Sequence, residues 1–255
     1  MRKVFQRGWR PLLVLILLLT IWQLSCWLFD IPKWLLPAPS DIWTEGIAGW
    51  ATYSNHLVST IKLSFIGLLI GSGVGLIVAI SLHRIPKLRE ALYPLIILSQ
   101  NIPIIVLAPL LVIWFGFGLL PKIIVITMVC FFPITIAALD GFRQTTAELT
   151  HYMKMAGASK KQIFWKVEWP YALPSLFSGL KIAATYSVMG AVISEWLGAK
   201  EGIGVFMTLA SSSFRTDRVF VAIFLIMILS LFFFAVISSL EKLIVKGKPK
   251  GEENN

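Results

Sequence analysis

The chain has 255 residues, of which 57% are hydrophobic and only 14% are charged, and its mean hydropathy is +0.80. Soluble domains usually carry about 25% charged residues, so this composition excludes an ordinary soluble protein and predicts a membrane protein. The net charge of +10 does not indicate a nucleic-acid partner, because the basic residues lie between the apolar runs instead of clustering on one face.

Six apolar runs are each long enough to cross a bilayer as a helix of about 20 residues. They cover residues 10–29, 57–82, 91–115, 120–142, 173–197 and 218–240. The first run follows four basic residues, as a signal peptide would, but it is long for a signal core and no small-residue cleavage site follows it. We therefore predict an all-α membrane protein with six transmembrane helices, the first of them uncleaved.

The distribution of Lys and Arg predicts the orientation. Sixteen of the 23 basic residues lie in segments 1–10, 83–90, 143–172 and the tail after Leu240, and only five lie in the alternate segments. Cytoplasmic loops are enriched in basic residues, so we expect both termini in the cytoplasm and the protein in the cell (inner or plasma) membrane. Lys62 and Lys181 fall near predicted helix ends and are expected to reach either interface.

The segment after the first run, residues 30–55, contains three prolines that disfavour a long helix. Ser40 or Asp41 is suited to cap a short helix that begins at Ile42. With three tryptophans nearby, this segment is either an amphipathic helix at the outer interface or an aromatic linker, and the sequence favours neither.

The second run carries Gly67, Gly71 and Gly75 at four-residue spacing. Small residues on one helix face allow close approach of a second helix, so we predict a helix contact here, with gating as the less favoured alternative.

The third run places polar and helix-breaking residues at membrane depth. Gln100 and Asn101 are polar, and Pro103 and Pro109 are expected to break the hydrogen-bond ladder. Such residues are tolerated where they face protein or a wet cavity. We predict that Gln100, Asn101 and Pro103 either line a pathway or make an interhelical contact.

The longest polar interruption lies between the fourth and fifth runs. It predicts a helix from Glu148 to Ala156, ended by Gly157, and a second short helix begun by Ser159 with Gln162 in a capping box. Pro170 and Pro174 are expected to end that second helix. A helix–turn–helix on the cytoplasmic side with exposed lysines is suited to docking into a groove on a partner.

The spacing from Gly157 to Val167-Glu168-Trp169-Pro170 resembles the coupling loop, or EAA loop, of binding-protein-dependent ABC importer permeases. Two further stretches, LLPAPSDIW and SEWLGAKEGIGVFM, resemble the nitrate, sulfonate and taurine branch of that family. The loop departs from the family at His151-Tyr152-Met153, which replace Glu-Ala-Ala, and at Trp169, which replaces Leu.

The resemblance implies a type I ABC importer permease fold in three parts. Residues 1–54 hold the first transmembrane helix and the outer interfacial segment, residues 55–240 form the permease core with a coupling loop at 147–170, and residues 241–255 are a flexible cytoplasmic tail. The loop residues implied to dock on the ATPase are His151, Met155, Ala156, Gly157, Ala158, Ser159, Lys160, Lys161, Phe164 and Pro170.

The same resemblance implies the partners and the cargo. Two copies of the chain would lie in the lipid bilayer, with a cytoplasmic ABC ATPase dimer that binds the ATP and an extracytoplasmic solute-binding protein. No cofactor, metal or catalytic residue is implied for the chain itself. Two stretches, SGLKIAATYSVMGAVISEWLGA and SSSFRTDRVFVAIF, are most similar to permeases for pyrimidine precursors of thiamine, such as formylaminopyrimidine or hydroxymethylpyrimidine. Aliphatic sulfonates, taurine or nitrate are the alternatives.

Other functional classes fit the residues less well. The three histidines have no paired metal-binding spacing, and no GxxxxGK[ST] motif is present, so ATP hydrolysis would need a separate subunit. An ion-coupled secondary transporter needs intramembrane carboxylates, for which Asp140 and Glu195 are the candidates. Glu195 is expected either to be structural or to line the outer mouth of a pathway. A membrane scaffold is a third alternative.

Overall fold

The computed structural model of the protein describes residues 2–245, with side chains from Trp9 onward. Within this range the chain forms α-helices, one π-helix and no β-strand, which confirms the predicted all-α class. The α-helices are α1 Arg2–Leu28, α2 Pro39–Ala48, α3 Trp50–Arg84, α4 Pro86–Ser99, α5 Ile104–Phe115, α6 Leu119–Arg143, α7 Ala147–Met155, α8 Lys160–Ile163, α9 Trp169–Glu195, α10 Ile203–Ser212 and α11 Thr216–Ile244; the π-helix is Phe164–Glu168.

Five helical segments of the described chain are long and apolar enough to cross a membrane, or six if the bent pair α4 and α5 is one span. The five are Trp9–Leu28, Trp50–Arg84, Leu119–Arg143, Lys160–Glu195 and Thr216–Ile244. We call the end of the bundle that holds α7, α8 and the π-helix the loop end, and the opposite end, which holds α2 and α10, the cap end.

Helix α6 is the centre of the bundle and packs between α3 and α9. The predicted glycine stripe on α3 faces it: a Cβ atom on Gly67 would lie 2.3 Å from Ile126, and one on Gly71 would lie 2.7 Å from Cys130. On its other side α6 meets Gly179 of α9 in the same way. The neighbouring atoms of α6 leave no room for a side chain at Gly67 or Gly71, so the predicted packing role of the stripe is confirmed.

The third predicted span is not one straight helix. Helices α4 and α5 meet at an angle of 100°, and the break falls at residues 100–103. Pro103 is the N-cap of α5, so the expected break at this proline is confirmed. Pro109 lies inside α5, where it removes one backbone hydrogen bond because proline has no N–H. The helix nevertheless continues to Phe115.

The prediction that Pro170 and Pro174 end the second loop helix is wrong. The chain stays helical from Lys160 to Glu195, through α8, the π-helix and α9. Pro170 and Pro174 lie in the first two turns of α9, directly after the π-helix, and both are accommodated within the continuous helix. The loop therefore continues without interruption into a membrane-spanning helix.

The cap end is tied together by short polar contacts. Helix α2 begins at Pro39, not Ile42, and Asp41 accepts a hydrogen bond from the Ala38 N–H at 3.3 Å. Glu45 of α2 lies 2.7 Å from the guanidinium of Arg218 and 3.0 Å from that of Arg215. A hydrogen bond from Arg215 to Asp217 is the main cause that raises the pKa of Arg215.

Helix α11 runs to Ile244, so the first residues of the predicted tail are helical. Glu241 in its last turn lies 2.6 Å from the ammonium of Lys181. Lys181 lies in the middle of α9 and not near a helix end, as the sequence had suggested. It forms an ion pair with Glu241. Residues 246–255, the rest of the predicted flexible tail, lie outside the described residues.

Candidate functional site

The coupling segment, residues 147–163, has the helix–turn–helix shape that the sequence predicts. Gly157 takes a left-handed φ of +78° just after α7, and the Ala158 N–H donates to the Met153 carbonyl at 2.9 Å. This is the Schellman arrangement that ends helices at glycine. The capping box is also confirmed, because Ser159 N–H donates to the Gln162 side chain at 2.7 Å and Gln162 N–H donates to the Ser159 hydroxyl.

Most of the predicted docking residues lie on the surface of the protomer. Those that are exposed are His151, Met155, Ala156, Gly157, Ser159, Lys160, Lys161 and Pro170. Ala158 is half-buried and Phe164 is buried, so Phe164 does not offer a surface to a partner. Two large side chains of α7 are mostly exposed to solvent: Met155 is 77% exposed and Tyr152 is 69% exposed.

A groove of about 860 Å³ opens beside α7, between the coupling segment and the end of α3. Its wall carries four basic side chains, Arg84, Lys154, Lys160 and Lys161, against one carboxylate, Glu168. Among the described residues, none of the three lysines forms an ion pair. The groove is therefore a positively charged surface at the loop end.

The base of the coupling segment is an aromatic cluster. Phe164 of the π-helix is 5.6 Å from Phe142 and 6.2 Å from Trp169, measured between ring centroids. The guanidinium of Arg84 lies over the Phe164 ring at 4.5 Å. These contacts explain why Phe164 is buried: its ring fixes the segment to the ends of α3, α6 and α9.

A polar contact completes this base. His83 at the end of α3 stacks on Phe142 with ring centroids 4.6 Å apart, and its Nε2 atom lies 2.9 Å from Glu168 Oε2. Both the His83 and the Glu168 side chains are 20% exposed. The pair joins residues that are 85 positions apart in the sequence. Glu168 belongs to the predicted coupling loop but was not predicted to dock, and His83 was not predicted to be part of the site.

The four residues predicted to line a pathway lie in two different environments. Gln100, Asn101 and Pro103 are exposed on the protomer at the bend between α4 and α5, and Asn101 donates a hydrogen bond to the Ile97 carbonyl. Glu195 is only 1% exposed and faces the interior of the protomer at the cap end. In this conformation it is a structural carboxylate, one of the two alternatives that the sequence left open.

The carboxylate of Glu195 is held by two other elements, α3 and α10. It accepts hydrogen bonds from the Thr60 hydroxyl of α3 at 2.7 Å and from the Gly204 N–H of α10 at 2.8 Å. The Thr60 hydroxyl also accepts from the Ile203 N–H, and His56 accepts from the Gly202 N–H at 3.0 Å. Since the first N–H groups of a helix lack partners within that helix, Glu195 and Thr60 together cap α10 and bind it to α3 and α9.

We call Glu195, His56, Thr60 and the Gly202–Gly204 backbone the cap node. The sequence analysis did not identify His56, Thr60, Gly202 or Gly204 as members of it. The useful signal was the Gly202-Ile203-Gly204 run. A Cβ atom on Gly202 would lie 2.1 Å from the Glu195 carboxyl carbon, so the glycines are needed for close approach of the backbone to the carboxylate. Among the described residues no three His, Cys, Asp or Glu side chains are grouped so that they could hold a metal ion.

Sequence comparison identifies two informative relatives. The chain is 34% identical over 241 residues to the formylaminopyrimidine transport permease protein ThiX of Halalkalibacterium halodurans, covering 94% of this chain and 96% of that protein. It is 30% identical over 223 residues to the taurine transport system permease protein TauC of Escherichia coli, covering 85% of this chain and 81% of that protein. Both relatives agree with the predicted branch.

A solved structure shares the fold. The chain superposes on one from the MetNI methionine ABC transporter in inward-facing conformations with a TM-score of 0.59 at 19% identity, covering 72% of this chain and 94% of that one. Residues 71–246 match the family described as binding-protein-dependent transport system inner membrane component. The chain therefore belongs to this family, and it is the membrane-spanning permease subunit of an ABC importer, not an enzyme.

Proposed function

We propose that the protein imports a pyrimidine precursor of thiamine, such as formylaminopyrimidine or hydroxymethylpyrimidine. Two copies form the pathway between them, and an ATPase dimer, which binds the ATP, docks on their coupling segments. The loop end then faces the cytoplasm together with both termini, and a solute-binding protein delivers the cargo at the cap end. The chain itself holds no cofactor.

The single observation that supports docking most strongly is the exposed surface of the coupling segment. Met155 and Tyr152 offer a large apolar area, and Lys160 and Lys161 lie just beyond Gly157. Aromatic and methionine side chains are enriched at the centre of protein–protein interfaces, and charged side chains lie mostly at the polar rim. Since the neighbouring groove is basic, a partner surface with acidic side chains fits it best.

The cargo assignment is supported by similarity to a permease that its name links to formylaminopyrimidine, at 34% identity over 94% of this chain. The relative named for taurine transport is similar at 30% identity, so sulfonates, taurine and nitrate remain the alternative cargo. Because the two sequence identities differ by little, a direct measurement of the cargo is needed to decide between them.

An ion-coupled secondary transporter is less consistent with the carboxylates. Asp140 is exposed at the loop end, 3.6 Å from Arg143. Glu195 already accepts hydrogen bonds from two elements within the protomer. Neither carboxylate lies at the middle of a span with an open surface, where a coupling ion would be expected.

Docking is tested by reversing the charge of Lys160 and Lys161 together, as Lys160→Glu/Lys161→Glu, and by Gly157→Trp. We expect both variants to be inserted in the membrane but to lose ATPase co-purification and cargo uptake, because the docking surface changes while the bundle does not. Glu201→Lys is the control, since it reverses one exposed charge at the cap end, far from the segment. Unchanged uptake and unchanged co-purification would reject the docking assignment.

The cargo is tested on the solute-binding protein that assembles with this permease. Its thermal shift is measured with formylaminopyrimidine, hydroxymethylpyrimidine, taurine, an alkanesulfonate and nitrate. We expect stabilisation by the pyrimidines, since a ligand that binds only the folded state raises the melting temperature. A shift with a sulfonate alone would reject the thiamine-precursor assignment and leave the importer assignment intact.

A further inference from the structure

We infer that His83 and Glu168 are positioning residues that couple movement of the docked segment to α3. This inference rests on the proposed docking of the ATPase at the coupling segment. It concerns α3, which is not adjacent to the coupling segment in the sequence.

The covalent connections of the coupling segment lead to only two helices. On one side α7 follows α6 after a short turn at residues 144–146, and on the other side the π-helix continues into α9. Helix α3 ends at Arg84, some 60 residues before the segment begins at Ala147. A push on the segment therefore reaches α3 only through side-chain contacts.

His83 and Glu168 provide such a contact at the place where the segment changes its helical form. Glu168 is the last residue of the π-helix, and its carboxylate accepts a hydrogen bond from the His83 ring at 2.9 Å. The ring of His83 is held flat against Phe142 of α6. Because the imidazole is packed on one face and hydrogen-bonded at its edge, we expect a shift of Glu168 to be passed to the end of α3.

The next residue of α3 strengthens the connection. The guanidinium of Arg84 lies over Phe164, the first residue of the π-helix. The end of α3 thus contacts both ends of this single π-helical turn. Irregular turns of this kind inside longer helices are found mostly at functional positions, and here the turn directs Phe164 and Glu168 toward the same neighbour.

Helix α3 can carry this movement across the bundle. From His83 to Thr60 it is one unbroken α-helix of roughly 35 Å, at 1.5 Å per residue. Thr60 donates to Glu195 and accepts from α10 at the cap end. The pair therefore links ATPase docking at one end of the protein to the cap node at the other.

The test uses the reconstituted complex of permease, ATPase and solute-binding protein, and measures cargo transported per ATP hydrolysed. In His83→Ala and in Glu168→Ala we expect this ratio to fall on the order of tenfold. ATPase co-purification should be unchanged in His83→Ala and should not fall in Glu168→Ala, because removing this carboxylate leaves the groove more basic. The double variant should be no worse than either single one, because both remove the same contact. Glu90→Gln, an exposed carboxylate at the same end, is the control.

The conservative variant His83→Gln separates positioning from stability. Its amide N–H can still donate to Glu168, so we expect it to keep most of the transport ratio that His83→Ala loses. Equal loss in His83→Gln and His83→Ala, or an unchanged ratio in both alanine variants, would overturn the inference. Loss of ATPase co-purification in Glu168→Ala would also overturn it, since Glu168 would then serve docking itself. The docking proposal fails separately, through the lysine variants.

Discussion

The cap node and the coupling segment lie at opposite ends of the same bundle and differ in how their polar groups are satisfied. At the cap node, the Glu195 carboxylate and the first N–H groups of α10 are paired within the protomer, and Glu195 is 1% exposed. In the coupling segment the internal hydrogen bonds only shape the turn, and Met155 and the lysines point outward.

This difference shows which end is complete without a partner. A buried carboxylate that has its hydrogen bonds stabilises the protomer that contains it, because removing any partner leaves a buried polar group unpaired. An exposed apolar side chain contributes little to the protomer and gains burial only when a second surface covers it. The cap node should therefore be sensitive in stability, and the coupling segment sensitive in assembly.

The largest effect on stability is expected for Glu195→Ala. It removes the acceptor of Thr60 and Gly204 and leaves a cavity, so the free energy of unfolding should fall by about 4 kcal/mol. The melting temperature of the purified protein in detergent measures the change. Glu201→Ala, an exposed neighbour in the same segment, is the control. Equal melting temperatures for the two variants would contradict the structural role of Glu195.

A somewhat smaller effect is expected for Gly202→Ala. The new Cβ atom would lie 2.1 Å from the Glu195 carboxyl carbon, and the φ of +138° disfavours any side chain. Overpacking and backbone strain together should lower the free energy of unfolding by about 3 kcal/mol. The same melting experiment measures it. A variant as stable as the parent would mean that α10 can shift away from α9 without loss.

Gly157→Ala in the coupling segment should cost less than Gly202→Ala, about 1 kcal/mol. Its φ of +78° is also left-handed, but no atom lies within 4 Å of the added Cβ, so only backbone strain contributes. Gly157→Asn is the matched control, because asparagine tolerates this conformation better, and it should melt closer to the parent protein. A larger loss for Gly157→Ala than for Gly202→Ala would reverse the comparison between the two ends.

The smallest effect on stability is expected for Met155→Ser, within about 0.5 kcal/mol of the parent protein, because the side chain is exposed. Its effect should instead appear as reduced ATPase co-purification, since apolar area is lost from the docking surface. Leu243→Ser removes a comparably exposed side chain at the same end and serves as the control. If both variants retained the ATPase equally well, Met155 would lie outside the interface.

Local patterns in the sequence were enough for several features that depend on near neighbours. The Schellman turn at Gly157 and the capping box of Ser159 and Gln162 are formed by residues within a few positions of one another. The glycine stripe on α3 predicted close packing, because three small residues on one helix face have few other uses. The class of membrane protein followed from hydropathy alone.

Other predictions were wrong or incomplete because the features depend on contacts between helices that are distant in the sequence. Pro170 was expected to end a helix, but it lies directly after the π-helix within one continuous helical run. Phe164 was expected on the docking surface, and its burial depends on Phe142 and Arg84, which come from two other helices. The bend at residues 100–103 was signalled by Pro103, but its angle of 100° was not.

Composition, charge and short-range capping were therefore sufficient to predict the apolar membrane-spanning runs and the coupling turn, because each depends on the residue types nearby in the sequence. The partners of Glu195 and of His83 depended on the folded bundle. Thr60 and Glu195 are 135 positions apart, and His83 and Glu168 are 85 positions apart. Only the packing of α3 along α6 and α9 brings these side chains within hydrogen-bond distance, because a polar group in a membrane protein takes its partner from whichever helix lies beside it.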